Sequence, residues 1–164
     1  MAPTQRAATH AAGGRLAPIA YAGLQLRIVA FILDVLVIIS FGMLFAAAVG
    51  GYLVADSRLN DGDLSDQALY VAVAIFVAYL FVFVPLYFVL LWSWRGQTIG
   101  MMAVRIKLLT HSGGRVSRGR SVLRLLGYAA SVAPLFLGLV MALFDRERRA
   151  LHDHLAGTVV VEVP

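Results

Sequence analysis

The chain has 164 residues, of which 60% are hydrophobic and 14% charged, with a mean hydropathy of +0.82. Soluble domains carry roughly 45–50% apolar and about 25% charged residues, so this composition describes a membrane protein with room for one small bundle and no separate soluble domain. Net charge is +5 and cysteine is absent, which excludes disulfides and thiolate-held zinc or iron–sulfur centres within the chain.

Residues 1–20 are rich in Ala, Gly and Pro, carry Arg6 and Arg15 without an acid, and show no helix or strand period. A disordered cytosolic tail is expected there. An almost wholly apolar run then covers residues 26–52 (LRIVAFILDVLVIISFGMLFAAAVGGY). It is longer than the roughly 7–15-residue core of a signal peptide and contains Asp34, so it reads as a retained first span. As a helix, Ile28 to Tyr52 would be about 37 Å long, enough for a hydrocarbon core of about 30 Å.

Arg27 stands at the entrance of that run and Asp34 two helical turns inside it, on nearly the same face and about 10 Å deeper. Arg27 can reach the headgroups, whereas an ionised Asp at depth costs about 2.5–3.5 kcal/mol on insertion scales. Asp34 must therefore be protonated, paired or facing a wet cavity, and an intramembrane charge is a functional candidate by default. It is the candidate ion or proton site, and Arg27 is a candidate structural clasp. Gly42, Ala46 and Gly50 recur every fourth residue, a pattern that lets helices approach closely.

Residues 53–67 hold Asp56, Asp61, Asp63 and Asp66 against Arg58 and read as a solvated exterior loop, without the spacing of a calcium-binding loop. The second span is expected at 68–94, with Tyr70, Tyr87, Trp92 and Trp94 near its ends and a kink at Pro85. Its only ionisable groups are tyrosines, so it offers Asp34 no strong partner.

From Ser93 to Arg124 the chain carries Arg95, Arg105, Lys107, Arg115, Arg118, Arg120 and Arg124 and no acid. With Arg6 and Arg15 this puts the N-terminus and this segment in the cytosol and the acidic loop outside. Contact with anionic lipids at the cytosolic face is expected, and nucleic acid is not a partner. Residues 103–109 alternate in the period of a strand, His111–Gly114 form a turn, and Arg115–Ser117 would return to make a β-hairpin. The Gly96–Gly100 stretch lacks phosphate-loop spacing and reads as a tight turn.

A third apolar segment, residues 122–144, could cross once by length. However, residues 157–163 read as a strand whose natural partner is 103–109, and the two can pair only on one side of a membrane. Gly127, Pro134 and Gly138 offer breaks, so a re-entrant or in-plane segment is preferred to a third span. His152, Asp153 and His154 are consecutive, point in different directions on a helix, and do not make a metal site. Asp153 is instead a clasp partner for Arg27 or Arg124, through directional Arg–carboxylate bonding. The expected fold is mainly α and integral to the membrane: a small helical bundle of two full spans plus the third apolar segment, with a small cytosolic β-hairpin or sheet, over residues 21–163.

Arg27, Asp34 seven residues later, and Asp153 within LHDHLAGTVV resemble the signature of the RDD family of membrane proteins, named for one Arg and two Asp. The G-Q-T-I-G turn before a strand and Arg124 opening the third run are similar to that family too, over about Tyr21 to Val163. Met101 departs from it, standing where the family often has Lys. The resemblance implies a multi-pass protein of a bacterial or archaeal plasma membrane, in a family of poorly defined function for which transport, including sodium–proton antiport, has been proposed. Two readings result. One is transport of a small ion or solute on Asp34, where a homo-oligomer could supply more sites. The alternative is a non-catalytic scaffold or accessory subunit in which Arg27, Asp34 and Asp153 form a structural clasp. No Ser–His–Asp or metal motif is present, so neither an enzyme nor a cofactor is expected.

Overall fold

The computed structural model describes residues 20–132, 141, 145 and 148–164. The first helix, α1, runs Leu24–Leu59, about 54 Å at 1.5 Å per residue. It continues two turns past the apolar run. The expected loop at 53–67 is therefore shorter: Asp56 is helical, and its carboxylate accepts from both the N–H and the hydroxyl of Ser65, each at 2.8 Å. Ser65 in turn caps α2 (Asp66–Ala78) by accepting from the Ala68 N–H at 3.1 Å.

Helix α2 runs through one π-helical turn, Tyr79–Phe83, into α3 (Val84–Trp94), giving one helix from Asp66 to Trp94. Pro85 lies at the start of α3. Proline has no N–H to return to the carbonyl four residues earlier, and the widened turn just before it absorbs that loss. The π turn presents Tyr79 and Phe83, stacked at 5.2 Å, to Phe41 and Phe45 of α1 at 5.3–5.8 Å. The Tyr79 hydroxyl donates to the Ile38 carbonyl. Gly42 is where this seam needs a small residue, since a Cβ there would lie 3.2 Å from the Tyr79 Oη, whereas Gly50 faces open space. The outer faces of both long helices are apolar and exposed, as at Ile32, Leu44, Val73 and Phe76. Each is long and apolar enough to cross a membrane.

After Trp94 the chain folds tightly against the ends of these helices. Helix α4 (Ile99–Ala103) is capped by Thr98, whose Oγ1 accepts from the Met101 N–H at 3.2 Å. The strand expected at 103–109 therefore begins later, as β1 (Ile106–Thr110), after Arg105 turns the chain at φ 55°. The hairpin expected at Arg115–Ser117 does not form. The second edge of β1 is occupied instead: the Leu108 N–H donates to the Gly96 carbonyl at 2.7 Å, and Gln97 Nε2 donates to the Ile106 carbonyl at 2.9 Å. Gly96 sits at φ +71°, and a Cβ there would lie 2.7 Å from the Leu108 oxygen.

Helix α5 (Arg118–Val132) follows, then α6 (Leu151–Ala156) and β2 (Thr158–Glu162). Strand β2 pairs antiparallel with β1, from Ile106 opposite Glu162 to Thr110 opposite Thr158. This is the partnership expected from the tail. The chain entering α1 joins the same sheet: Tyr21 bridges Val161, and the Ala22 N–H donates to the Val160 carbonyl at 2.9 Å. Ala22, Ala30, Trp92, Met101, Ile106, Leu108, Val116 and Val160 form the buried core at this end. Helix α5 is amphipathic in an unusual sense, with Ser121 and Arg124 buried and Val122, Leu123 and Leu126 outward. The tail at 1–19 and, within the third apolar segment, residues 133–140 and 142–144, with Pro134 and Gly138 among them, lie outside the described residues.

Candidate functional site

Two polar knots lie at the end of the bundle that carries the basic segment. The first surrounds Asp34, which is 3% exposed. Its Oδ1 accepts from the Tyr87 hydroxyl at 2.7 Å and from the Gly100 N–H at 2.7 Å, and its Oδ2 accepts from the Thr98 hydroxyl at 2.6 Å. Both hydroxyls also accept from the turn itself, Tyr87 from the Ile99 N–H at 3.3 Å and Thr98 from the Met101 N–H. Each hydroxyl proton is thus free to point at the carboxylate. The second long helix therefore does supply a partner to Asp34, contrary to the expectation from its lack of charge, because a tyrosine hydroxyl needs no charge to donate. Gly100 is required for the approach: a Cβ would collide with the Ala30 carbonyl and lie 2.9 Å from the Asp34 carboxyl carbon.

The second knot surrounds Asp153, which is fully buried. Arg124 donates to its Oδ1 and Arg27 to its Oδ2, and the Ala150 N–H donates to Oδ2 at 3.0 Å. Arg124 also donates to the Thr158 hydroxyl at 2.8 Å, and Arg27 Nε to the Ala22 carbonyl at 3.2 Å. One carboxylate thus ties α1, α5, α6 and, through Thr158, the sheet. Burial pushes the Asp153 carboxyl up, but Arg124 and Arg27 outweigh burial and hold it below the usual carboxylate range. His152 is stacked on Tyr128 at 3.8 Å, and Tyr128 on Trp92 at 5.8 Å, with the Arg124 guanidinium over the Trp92 ring at 5.2 Å. Burial, and then the Arg124 charge, push the His152 imidazole down to about 3, so it is neutral.

Between the knots lies a cavity of about 680 Å³, lined by Phe31, Phe81 and Leu126 as well as Arg27, Arg124 and Asp34. The structure therefore brings Arg27, Arg124 and Asp153 together and leaves Asp34 apart from all three. Arg27 and Asp34 share a helix face but serve different partners. Tyr87, Thr98, Gly100 and Thr158 escaped the sequence reading. The glycine–threonine–glycine spacing of 96–100 was visible, but nothing in it pointed to a carboxylate 64 residues earlier. Among the described residues no cluster of three His, Cys, Asp or Glu side chains could hold a metal ion.

A helical chain with two membrane-length apolar helices, tied at one end by an Arg–Asp–Arg knot and a two-stranded sheet, defines the class of protein. The family follows: the RDD family model matches residues 21–157, and the chain belongs to that family. It is 31% identical to an uncharacterized protein of Rickettsia prowazekii over 77 residues, 46% of this chain and 42% of that protein. The chain thus spans less than half the length of that relative. It is 26% identical to the uncharacterized protein YxaI of Bacillus subtilis over 146 residues, 85% of this chain and 96% of that one. No solved structure matches.

Proposed function

We propose that the chain is a non-catalytic scaffold or accessory subunit of a prokaryotic plasma membrane, in which Arg27, Asp34 and Asp153 are structural. Two spans cross the bilayer, with the N-terminus and basic segment in the cytosol. The observation that carries this reading is the satisfaction of Asp34: three donors meet its two oxygens in a site 3% exposed. Both oxygens are engaged by the turn and by α3, so releasing the carboxylate to an ion would unfasten α4 from α1.

The test couples flux to stability. Purified protein in proteoliposomes is expected to pass neither protons nor sodium nor potassium above empty vesicles. Asp34→Asn places an amide N–H against at least one of three donors, and is expected to cost about 1–3 kcal/mol in unfolding titrations. Cation flux in the wild type that Asp34→Asn abolishes at unchanged stability would overturn the scaffold reading. A second reading, transport of a small ion or solute, draws on the position of Asp34 in the wall of the cavity, and the same experiment decides between them.

A further inference from the structure

We infer that the cavity between α1, α3 and α5 binds one anionic phospholipid, its phosphate against Arg27 and Arg124 and an acyl chain running inward toward Phe81. Volume is the first argument: about 680 Å³ lies within the roughly 300–1,000 Å³ of ligand-binding pockets. Its polarity is graded along the bundle. Arg27, Trp92 and Arg124 line one end, while Phe81 lies eleven residues before Trp92 on the same helix, about 16 Å deeper. Such a shape suits an amphiphile and not a free ion.

Unanswered donors give the second argument. Arg27 Nη2, Arg124 Nε and Trp92 Nε1 are buried without a hydrogen-bond partner. These side chains are nine-tenths or more buried. Buried polar groups are satisfied in the great majority of cases, so three unpaired N–H donors around one cavity ask for an acceptor. The donor atoms are covered at rest, and an incoming anion meets them as the guanidinium planes turn toward the cavity.

Charge is the third argument. Two guanidiniums share the single carboxylate of Asp153, which leaves one positive charge over. Asp34 also lines the cavity, but it lies two turns deeper than Arg27 and its oxygens are met by Tyr87, Thr98 and Gly100. A phosphodiester supplies one negative charge and several acceptor oxygens, matching the surplus and the planar fork of arginine. Basic pockets between membrane helices are suited to such headgroups.

The test uses the full chain with Trp94→Phe, which leaves Trp92 as the one tryptophan of the two in the sequence. Delipidated protein in neutral detergent is titrated with phosphatidylglycerol brominated on its acyl chains, with equally brominated phosphatidylcholine, and with inorganic phosphate as competitor. Phosphatidylglycerol is expected to quench Trp92 at a lipid fraction about fivefold or more below phosphatidylcholine, since one kcal/mol per basic residue corresponds to that ratio. Inorganic phosphate is expected not to displace it. Arg27→Gln, which removes the surplus charge and leaves Arg124 paired with Asp153, should erase the preference, and Leu126→Phe, on the exposed rim of the cavity, should weaken quenching severalfold while leaving the fold intact by circular dichroism. Equal quenching by the two lipids would overturn the inference in favour of unspecific annular lipid. Displacement by inorganic phosphate would replace it with a simple anion site. An unresponsive Trp92 in folded protein would mean that protein, either residues 133–144 or a second copy, fills the space.

Discussion

Asp153 is held ionised by two cations in a place where an unpaired carboxylate would not stay charged. Removing either arginine breaks one of two buried pairs and leaves Asp153 with a single cation, which costs up to about 3–5 kcal/mol in comparable sites. Arg124→Ala is expected to be the more damaging, because it also loses the Thr158 bond and the cover over Trp92, whereas Arg27→Ala leaves Arg124 in place. Unfolding in detergent titrations measures both. Acid separates the two neighbours on α6. The unfolded chain protonates His152 below about 6.5, while the fold keeps it neutral down to about 3. Stability should therefore fall across that window by up to about 1.4 kcal/mol per pH unit. Asp153 works in the opposite sense of charge and lower on the scale: its contribution is complete above the unfolded value of 3.8 and is lost as pH falls below it. His152→Phe preserves the stack on Tyr128 and should flatten the midpoint-against-pH curve between about 6.5 and 4.

Among elements, the G-Q-T-I-G turn with α4 decides how the layer of α4 and the sheet sits on α1. Gly100→Ala forces a methyl into the Ala30 carbonyl and is expected to cost about 3 kcal/mol, at the upper end of overpacking. Gly50→Ala, with open space around it, should be silent in the same unfolding assay. The long apolar runs, the turn at His111–Gly114 and the pairing of the tail with β1 were legible because hydropathy and period survive without tertiary context. The partners of Asp34 were not. They are neutral donors 53, 64 and 66 residues away, and only the folded approach of three segments makes them a set. The false return strand at 115–117 has a comparable cause: an available β edge cannot be told from one taken by a glycine carbonyl until the chain is folded.

At the scale of the whole molecule, the sheet imposes a rule on topology. Tyr21, β1 and β2 are hydrogen-bonded neighbours, so they share one side of any bilayer the long helices cross. If both long helices cross, they return the chain to the side it started from, and the stretch from β1 to β2 must then cross an even number of times or not at all. The outward apolar and inward polar faces of α5 suit an in-plane position. Because the chain has no cysteine, single cysteines report cleanly. Cysteines at Tyr21 and Pro164 are expected to resist an impermeant maleimide added outside intact cells, and one at Asp63 to react. Labelling at Pro164 from outside would require a third crossing.

The long reach of the Asp153 knot also sets an order in time. Thr98 and Gly100 follow Asp34 by fewer than seventy residues, so the first knot can tie while synthesis is under way. Arg27 waits 126 residues for its carboxylate. Until then Arg27 lacks that carboxylate and β1 lacks its partner strand. Residues 150–162 act as a latch, and a chain cut before Asp153 would keep the first knot and lose the second together with the partner of β1.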